Sequence, residues 1–593
     1  MKLVYLLFPL LLISFTTNDD WQTKLSDELL AELQSGATVD VLIQFSDRPN
    51  LTAARNLPGK AAKTAYVFEQ LKQTATAQQR DARQWLWMRG IEHRSFYLVN
   101  AIRVNRANLN LVEQLAERPE VARVMANPWQ QLERMDEALR PAPTPQRGGP
   151  TEVEWNIAQI NAPQVWDLGY QGSGIVIGNQ DTGVDWDHEA LINSYRGNYD
   201  GTADHNYNWH DAIHVANPLN GDSIPTDPTV NPCGFDSNEP CDDNGHGTYT
   251  VGIANGETAD NQVGVAPAAK WIACRNMDRG WGSPASYIEC FEWFLAPTDL
   301  NGENPNPAMA PHVINNSWAC PEIEGCNEDN FALMEQAVDN LKAAGIVVVV
   351  SAGNSGPNCS TVSTPAAIFE NSFTVGATNQ QDTIANFSSR GPVVVGTDEA
   401  YRKPDIVAPG VGIRGPRRFD SYASGSGTSA AGPHVAGLVA LILNANPDLI
   451  GEVDAIENII EQTALPVESD QVCANGFDGM GIPNIVYGYG RIDALAAVNL
   501  ALGMTSATDL PRLTGISVAP NPTRGAIALR SAISLEKAQL ELLDVSGRSI
   551  FNQEIDLPNG GAFSPKLPAL SPGVYLIRVR TEAGIWSERL VVQ

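Results

Sequence analysis

The sequence predicts an α/β fold: a doubly wound, mostly parallel sheet, with a small N-terminal α+β domain before it and a C-terminal β-sandwich after it. Three observations carry this. Between residues 155 and 503, short apolar runs recur at 174–178, 271–274, 312–315, 345–351 and 373–376, with helical stretches between them. None alternates with period two, which is how strands covered on both faces read. Residues 39–45, 53–87, 96–104, 109–116 and 121–124 read in turn as strand, helix, strand, helix and strand. Residues 509–593 hold no long helical pattern. Their short runs at 516–518, 527–529, 540–545, 574–579 and 590–592 are separated by Pro-Asn-Pro, Ser-Gly, Asn-Gly and Ala-Gly turns.

In chain order, Met1-Lys2 leads into an apolar run over 3–15 that ends at Thr16-Thr17-Asn18. It is too short to span a bilayer, so residues 1–17 read as a secretory signal. Residues 23–133 form the α+β domain. Residues 134–150, rich in Pro and Gly, form a linker open to proteolysis. The α/β domain occupies 151–503, with polar insertions at about 198–243 and 296–310. A second linker spans 504–514 and the sandwich 515–593. A formal charge of −29 argues against nucleic-acid binding, which needs a basic face. Eight Cys, an even number, suit an oxidising compartment and a structural role. Cys233/Cys241 and Cys320/Cys326 enclose short loops and are the first pairs to expect. Cys274/Cys290 and Cys359/Cys473 remain by elimination.

The chemistry is expected past the carboxyl ends of the strands. Asp181-Thr-Gly183 follows the run at 174–178. His246-Gly-Thr248 opens a helical segment. Gly427-Thr-Ser429 runs into a long apolar helix. A serine hydroxyl is a weak nucleophile and needs a base; the base needs a carboxylate to fix its tautomer and balance its charge. Ser429, His246 and Asp181 supply these three groups. Asn354, in Ser351-Ala-Gly-Asn354 after the Val-rich strand, is the candidate oxyanion donor beside the Ser429 N–H. A lone Gly-Thr-Ser reads as a helix cap; four signatures in this order do not. An aspartic-protease reading would need two Asp-Thr-Gly triplets, and there is one. His188-Glu189 is followed by Ala-Leu-Ile, so the zinc-protease motif His-Glu-x-x-His is absent. His205, His210 and His214 read as a surface cluster, and His434 as a helix residue.

These segments, with Phe387-Ser-Ser-Arg-Gly-Pro392 and Lys403-Pro-Asp-Ile-Val-Ala-Pro-Gly410, resemble the motifs of the subtilases, the subtilisin family of serine proteases. The acidic insertion before His246 and the Trp after Ser317 resemble its bacillopeptidase-F-like branch. The resemblance implies a secreted endopeptidase working through an acyl-enzyme. It implies catalytic roles for Asp181, His246, Ser429 and Asn354. Substrate would be bound as an added strand along Ser317, Trp318 and Ala319, with Ser351, Ala352 and Gly353 walling the pocket. Ala319 stands where the family often has Gly, and Ala430 where Met is common. With no acidic residue in the pocket segments, a small or apolar side chain is expected there. The chemistry requires no cofactor. Structural calcium is expected from the family, although Ala190 stands where subtilisin has a calcium carboxylate. Residues 23–133 resemble the family's inhibitory propeptide, which implies a self-processing zymogen. The C-terminal segments Pro520-Asn-Pro-Thr-Arg-Gly525, Leu543-Asp-Val-Ser-Gly-Arg548 and Gly573-Val-Tyr-Leu-Ile-Arg-Val579 resemble type IX secretion sorting domains. Expected partners are therefore protein or peptide substrates, the chain's own propeptide and that secretion machinery.

Overall fold

The computed structural model describes residues 21–127, 130–131, 152–199, 201–216, 220, 230–319, 328–396, 399–473, 476–503, 513, 515–524, 526–543, 549–568, 570–571, 573–581 and 584–592. The predicted signal, most of both linkers and the Cys320/Cys326 pair lie outside these residues.

The N-terminal domain runs α1 (Asp27–Gln34), β1 (Val39–Phe45), α2 (Gly59–Met88), β2 (His93–Phe96), β3 (Ala101–Ala107), α3 (Leu109–Ala116) and β4 (Val121–Ala126). Its antiparallel sheet has the order β2-β3-β1-β4. Two sequence expectations shift. The single strand predicted over 96–104 is a hairpin, because Asn100 turns the chain at a φ of 49°. The helix predicted from 53 starts at Gly59. Pro58 forces the preceding Leu57 into extended backbone and leaves a separate 3₁₀ turn, Thr52–Asn56, before it.

The α/β domain contributes β5 (Val176–Asp181), β6 (Trp209–Asp211), α4 (His246–Asn255), β7 (Lys270–Arg275), α5 (Pro284–Leu295), β8 (Val313–Asn316), α6 (Glu328–Ala343), β9 (Val347–Ser351), β10 (Phe373–Thr378) and β11 (Ile406–Pro409). A hairpin of β12 (Ile413–Arg417) and β13 (Ser421–Gly425) leads into α7 (Thr428–Ala445), followed by α8 (Val453–Thr463) and α9 (Ala494–Gly503). Seven strands form one parallel sheet in the order β6-β7-β5-β8-β9-β10-β11. The two edge strands are absent from the sequence reading. β6 spans three residues inside a polar insertion. β11 ends in Pro409, tolerated because a strand on the edge has no neighbour needing that N–H.

α7 lies in the middle of the domain. All its residues except Asn444 are buried, and its apolar side chains share a core with β8, β9 and β10. It is the helix among the described residues that is long and apolar enough to cross a membrane, and its burial in the core accounts for that composition. The opposite face of the sheet is covered by α5 and α6. The N-terminal domain packs onto these two helices, adding Leu42, Val67, Leu71, Phe96, Leu98 and Met125 to their apolar layer.

The C-terminal domain packs two antiparallel sheets on one apolar core. The smaller joins β14 (Ile516–Ala519), β15 (Ala528–Ser531) and β18 (Ala562–Phe563). The larger has the order β17-β16-β19-β20, from β16 (Leu535–Leu543), β17 (Ser549–Leu557), β19 (Gly573–Thr581) and β20 (Gly584–Val592). β17, missing from the sequence reading, is an edge strand that exposes Asn552, Gln553 and Glu554.

Disulfides join Cys233 to Cys241, Cys274 to Cys290 and Cys359 to Cys473, and no cysteine among the described residues is free. All three pairs were expected, two of them only by elimination.

The crossing of α7 over α4 depends on Gly437. A Cβ there would lie 2.6 Å from Cβ of Val265 and 2.9 Å from the Ala254 carbonyl oxygen. Alanine would add about 1 kcal/mol of helix propensity, but overpacking a well-filled core costs about 1–3 kcal/mol. Gly437→Ala is therefore expected to lower stability in denaturant unfolding. An unchanged or raised midpoint would show that the helices separate without cost.

Candidate active site

Asp181 ends β5, and Asn276 N–H donates to its backbone carbonyl at 3.0 Å. Its carboxylate is fully buried. Oδ1 accepts from the Thr182 N–H at 2.7 Å and lies 2.7 Å from His246 Nδ1; Oδ2 accepts from Thr250 Oγ1 at 3.3 Å. A carboxylate held this way keeps the proton on Nδ1 and leaves Nε2 as the basic nitrogen.

The two glycines of the short triplets explain how Asp181 and His246 come together. A Cβ on Gly183 would fall 1.8 Å from the Cys241 carbonyl oxygen, and one on Gly247 would fall 2.0 Å from the Gly183 carbonyl oxygen. The two chain segments therefore cross backbone on backbone. Asp242, which the sequence reading passed over, ties the crossing. Its oxygens accept from Thr182 Oγ1, the N–H groups of Asn244, Gly245 and Thr248, and Thr248 Oγ1, at 2.6–2.9 Å. Thr182 Oγ1 in turn accepts from the Gly247 N–H at 3.0 Å. An Asp at the N-terminus of the His246 helix was the available sequence signal.

Ser429 lies in the first turn of α7 and is buried. Asn354 caps this helix from a distant part of the chain: its Oδ1 accepts from the Thr428 N–H at 2.9 Å and from Thr428 Oγ1 at 3.0 Å. Fixing the acceptor end of the carboxamide orients its NH₂ end, the end an oxyanion would use. His246 Nε2 and Ser429 Oγ are both buried, and neither has a hydrogen-bond partner among the described residues. Nε2 and Oγ therefore make no hydrogen bond to each other.

The six residues read as substrate-binding lie where β8 and β9 end, around the start of α7. Ser317 Oγ donates to the Ser429 carbonyl at 3.1 Å, and Ser351 Oγ to the Thr428 carbonyl at 2.9 Å. Trp318 is buried and stacks on Tyr287, with ring centroids 3.9 Å apart. These three side chains brace the Ser429 turn and the α5 layer. Ala319 is buried as well. The Ala352 N–H pairs with the Val375 carbonyl, and the Gly353 N–H donates to Thr428 Oγ1 at 3.2 Å.

Arg275, at the end of β7, is fully buried and joins three segments around the site. It reaches Asp211 of the insertion at 3.1 Å, Asp243 before His246 at 2.8 Å, and Asp278 at 3.8 Å. Burial raises Asp243 to about 7; the Arg275 charge opposes that rise, while Asp242 and Asp278 add to it. His210 and His214 both bond buried Glu289, at 2.7 and 2.8 Å, while His205 meets the Tyr195 hydroxyl at 2.9 Å. His434 bonds the Ala430 carbonyl and the Asn156 carboxamide, and burial lowers it to about 4. Among the described residues, no group of three or more His, Cys, Asp or Glu side chains is placed to hold a metal ion.

A model described as the Subtilase family matches residues 172–490, and one described as a Secretion system C-terminal sorting domain matches 517–593. Bacillopeptidase F of Bacillus subtilis (strain 168) is 35% identical over 509 residues, covering 81% of this chain and 32% of that protein. Serine protease AprX of the same strain is 36% identical, covering 43% of this chain and 58% of that protein. Subtilisin Savinase of Lederbergia lenta is 31% identical, covering 55% of this chain and 96% of that protein. The chain thus spans about a third of the length of Bacillopeptidase F and somewhat over half of AprX.

Removing the Arg275 charge would leave three carboxylates buried together. Arg275→Met is expected to cost about 3–5 kcal/mol at pH 8. A buried carboxylate whose native pKa lies above its unfolded value binds protons more readily when folded, so the penalty should shrink as pH falls toward 5. Denaturant unfolding at the two pH values measures this; a penalty independent of pH would contradict it.

Proposed function

The chain belongs to the subtilase family, and from that premise we propose that it is a secreted serine endopeptidase, made as a zymogen that cuts itself. The observation carrying the catalytic reading is the 2.7 Å contact between buried Asp181 and His246, with Ser429 Oγ at a helix start capped by Asn354. Ser429 Oγ attacks the scissile carbonyl while His246 Nε2 takes its proton and returns it to the leaving amine. Water, deprotonated by the same nitrogen, then hydrolyses the acyl-enzyme. The Asn354 carboxamide and the Ser429 N–H meet the oxyanion of each tetrahedral intermediate.

The zymogen reading is supported by the docking of the N-terminal domain. The backbone at Gln130–Gln131, its last described residues, pairs antiparallel with Trp281–Gly282 of the α/β domain. The Leu98 N–H donates to Glu292 at 2.8 Å, the Ala285 N–H to Asn127 at 2.8 Å, and Asn340 to the Leu98 carbonyl at 2.7 Å. The match to a secretion sorting domain supports export and release or attachment at the outer surface, and the motifs point to type IX machinery. Calcium, if bound, would be structural, since no step above uses it.

A fluorophosphonate probe should label the wild-type protein at Ser429, and Ser429→Ala should abolish both labelling and casein hydrolysis. Hydrolysis at the wild-type rate by Ser429→Ala would overturn the assignment. Asn354→Leu should lower kcat by about 10²–10³ with little change in KM. An equal loss confined to KM would place Asn354 in ground-state binding instead. Deleting 515–593 should leave activity intact and trap the enzyme in the periplasm; full export would remove the sorting role.

A further inference from the structure

The hairpin of β12 and β13 connects the two helices that carry His246 and Ser429. Its second strand runs through Gly425 into α7, and its first is laid on α4, the His246 helix. The approach to α4 is close. A Cβ on Gly252 would fall 2.0 Å from Pro416 Cγ, and one on Gly415 would fall 2.7 Å from the Tyr249 ring. Tyr249 and Ile253 of α4, Ile413 of β12 and Ala430, the residue after Ser429, form one small apolar cluster. Arg417 ends β12. Its guanidinium lies over the Tyr249 ring, 4.0 Å from the centroid, and NH1 donates to the Gly245 carbonyl at 3.1 Å. Gly245 precedes His246 with a φ of 93°, and its carbonyl also accepts the first helical bond of α4, from the Tyr249 N–H at 3.4 Å. Arg417 therefore grips the point where the His246 helix begins. Its Nε and NH2 are buried and bond nothing among the described residues. An apolar side chain would cover Tyr249 as well, whereas a desolvated guanidinium without a carboxylate partner costs stability. Burial lowers Arg417; the negative charges of Tyr249, Asp242 and Asp181 oppose that, so its field reaches the carboxylate that holds His246.

We propose that Arg417 is a positioning residue for His246: it fixes the start of α4 against the hairpin that leads into Ser429, and its charge lowers the pH at which the imidazole becomes a free base. The inference rests on the catalytic reading of Asp181, His246 and Ser429 and deepens it. Arg417 acts through the Gly245 carbonyl and the Tyr249 ring, and a cation beside an imidazole disfavours the protonated form. The other charged and titratable groups around His246 come from five elements. β5 and the turn after it present Asp181 and Asp185. The segment before α4 presents Asp242 and Asp243, the latter paired with Arg275 of β7. α4 itself carries Tyr249. α7 carries His434, bonded to the Ala430 carbonyl. The hairpin adds Arg418, which donates to the Asp243 carbonyl and lies over the exposed Phe419 ring, and Asp420, which accepts from the Glu189 N–H. Further out, His188 and Glu189 meet the hairpin at Ser421 and Tyr422. Among these cations Arg275 is balanced by carboxylates and Arg418 faces the hairpin tip. Arg417 is the one stacked on α4.

The test measures kcat, KM and the pH profile of kcat/KM on a chromogenic peptide, with the active protein obtained from the full chain and counted by fluorophosphonate labelling. Arg417→Met keeps an apolar stem over Tyr249 and removes both the donor and the charge. It should lower kcat by about tenfold with little change in KM. It should also move the acid limb of kcat/KM up by about half a pH unit. Arg417→Lys keeps the charge without the planar fork, so its acid limb should stay at the wild-type position while kcat recovers only in part. Arg417→Gln keeps a donor without the charge and gives the same acid-limb reading if the Met variant fails to fold. Either quantity, kcat or the acid limb, unchanged in every folded variant lacking the charge would overturn the proposal. A loss that Arg417→Lys does not relieve, with the acid limb in place, would mark a merely structural role and overturn it as well. Failure of the wild type to take the probe at Ser429 would instead overturn the catalytic reading, and this inference with it.

Discussion

The helix that begins at Thr428 is buried from its first residue, and much of the site follows from that constraint. Leading N–H groups in a buried helix cannot be met by water and must find partners in the fold. Asn354 meets the first of them, and the hydroxyls of Ser351 and Ser317 tie down the carbonyls of Thr428 and Ser429. All three partners come from the ends of neighbouring strands or just beyond. Packing a helix buried along almost its whole length against a parallel sheet therefore creates, at one point, a fixed serine and a fixed carboxamide. The preorganisation that chemistry needs and the satisfaction that burial needs are met by the same hydrogen bonds.

A second close contact sets His246 against Asp181. At Gly183 and Gly247 two backbones touch with no room for a side chain, so the position of His246 relative to Asp181 is set by main chain rather than by side-chain packing. Asp242 holds that contact from one side, and Arg275 extends the order outward by gathering Asp211, Asp243 and Asp278. The acidic insertion is thus built onto the site through a buried cation. Four carboxylates gathered beside Asp181 and His246 would otherwise repel one another in a medium that screens poorly.

Much of this was legible in the sequence, and the exceptions share a cause. The strands facing neighbours on both sides announced themselves as unbroken apolar runs, and the triplets at Asp181, His246 and Ser429 marked where chemistry could sit. Strands on sheet edges did not: Trp209–Asp211, Ile406–Pro409 and Ser549–Leu557 are short, proline-ended or polar, because an edge imposes less on sequence. The hairpin at Asn100 was hidden because one residue's left-handed backbone leaves no mark on apolar spacing. The direction of Ser317, Ser351 and Trp318 was hidden for a different reason. A motif gives residue identity, and only tertiary packing decides whether a hydroxyl braces a helix or faces a cleft.

The contact between the domains shows how charge is used in a chain this acidic. The catalytic domain presents Glu289, Asp329, Glu452 and bare carbonyls, and the N-terminal domain answers with Arg94, Arg123, Lys63 and Lys60. The arginines remain about two-fifths exposed, so their pairs are weakened by salt and contribute little on their own. Lys60 is almost wholly buried against carbonyls, whereas Lys63, equally buried, meets a Glu452 side chain that is 44% exposed. The interface therefore combines partly exposed, screened ion pairs with one desolvated amine, Lys60, seated on carbonyls.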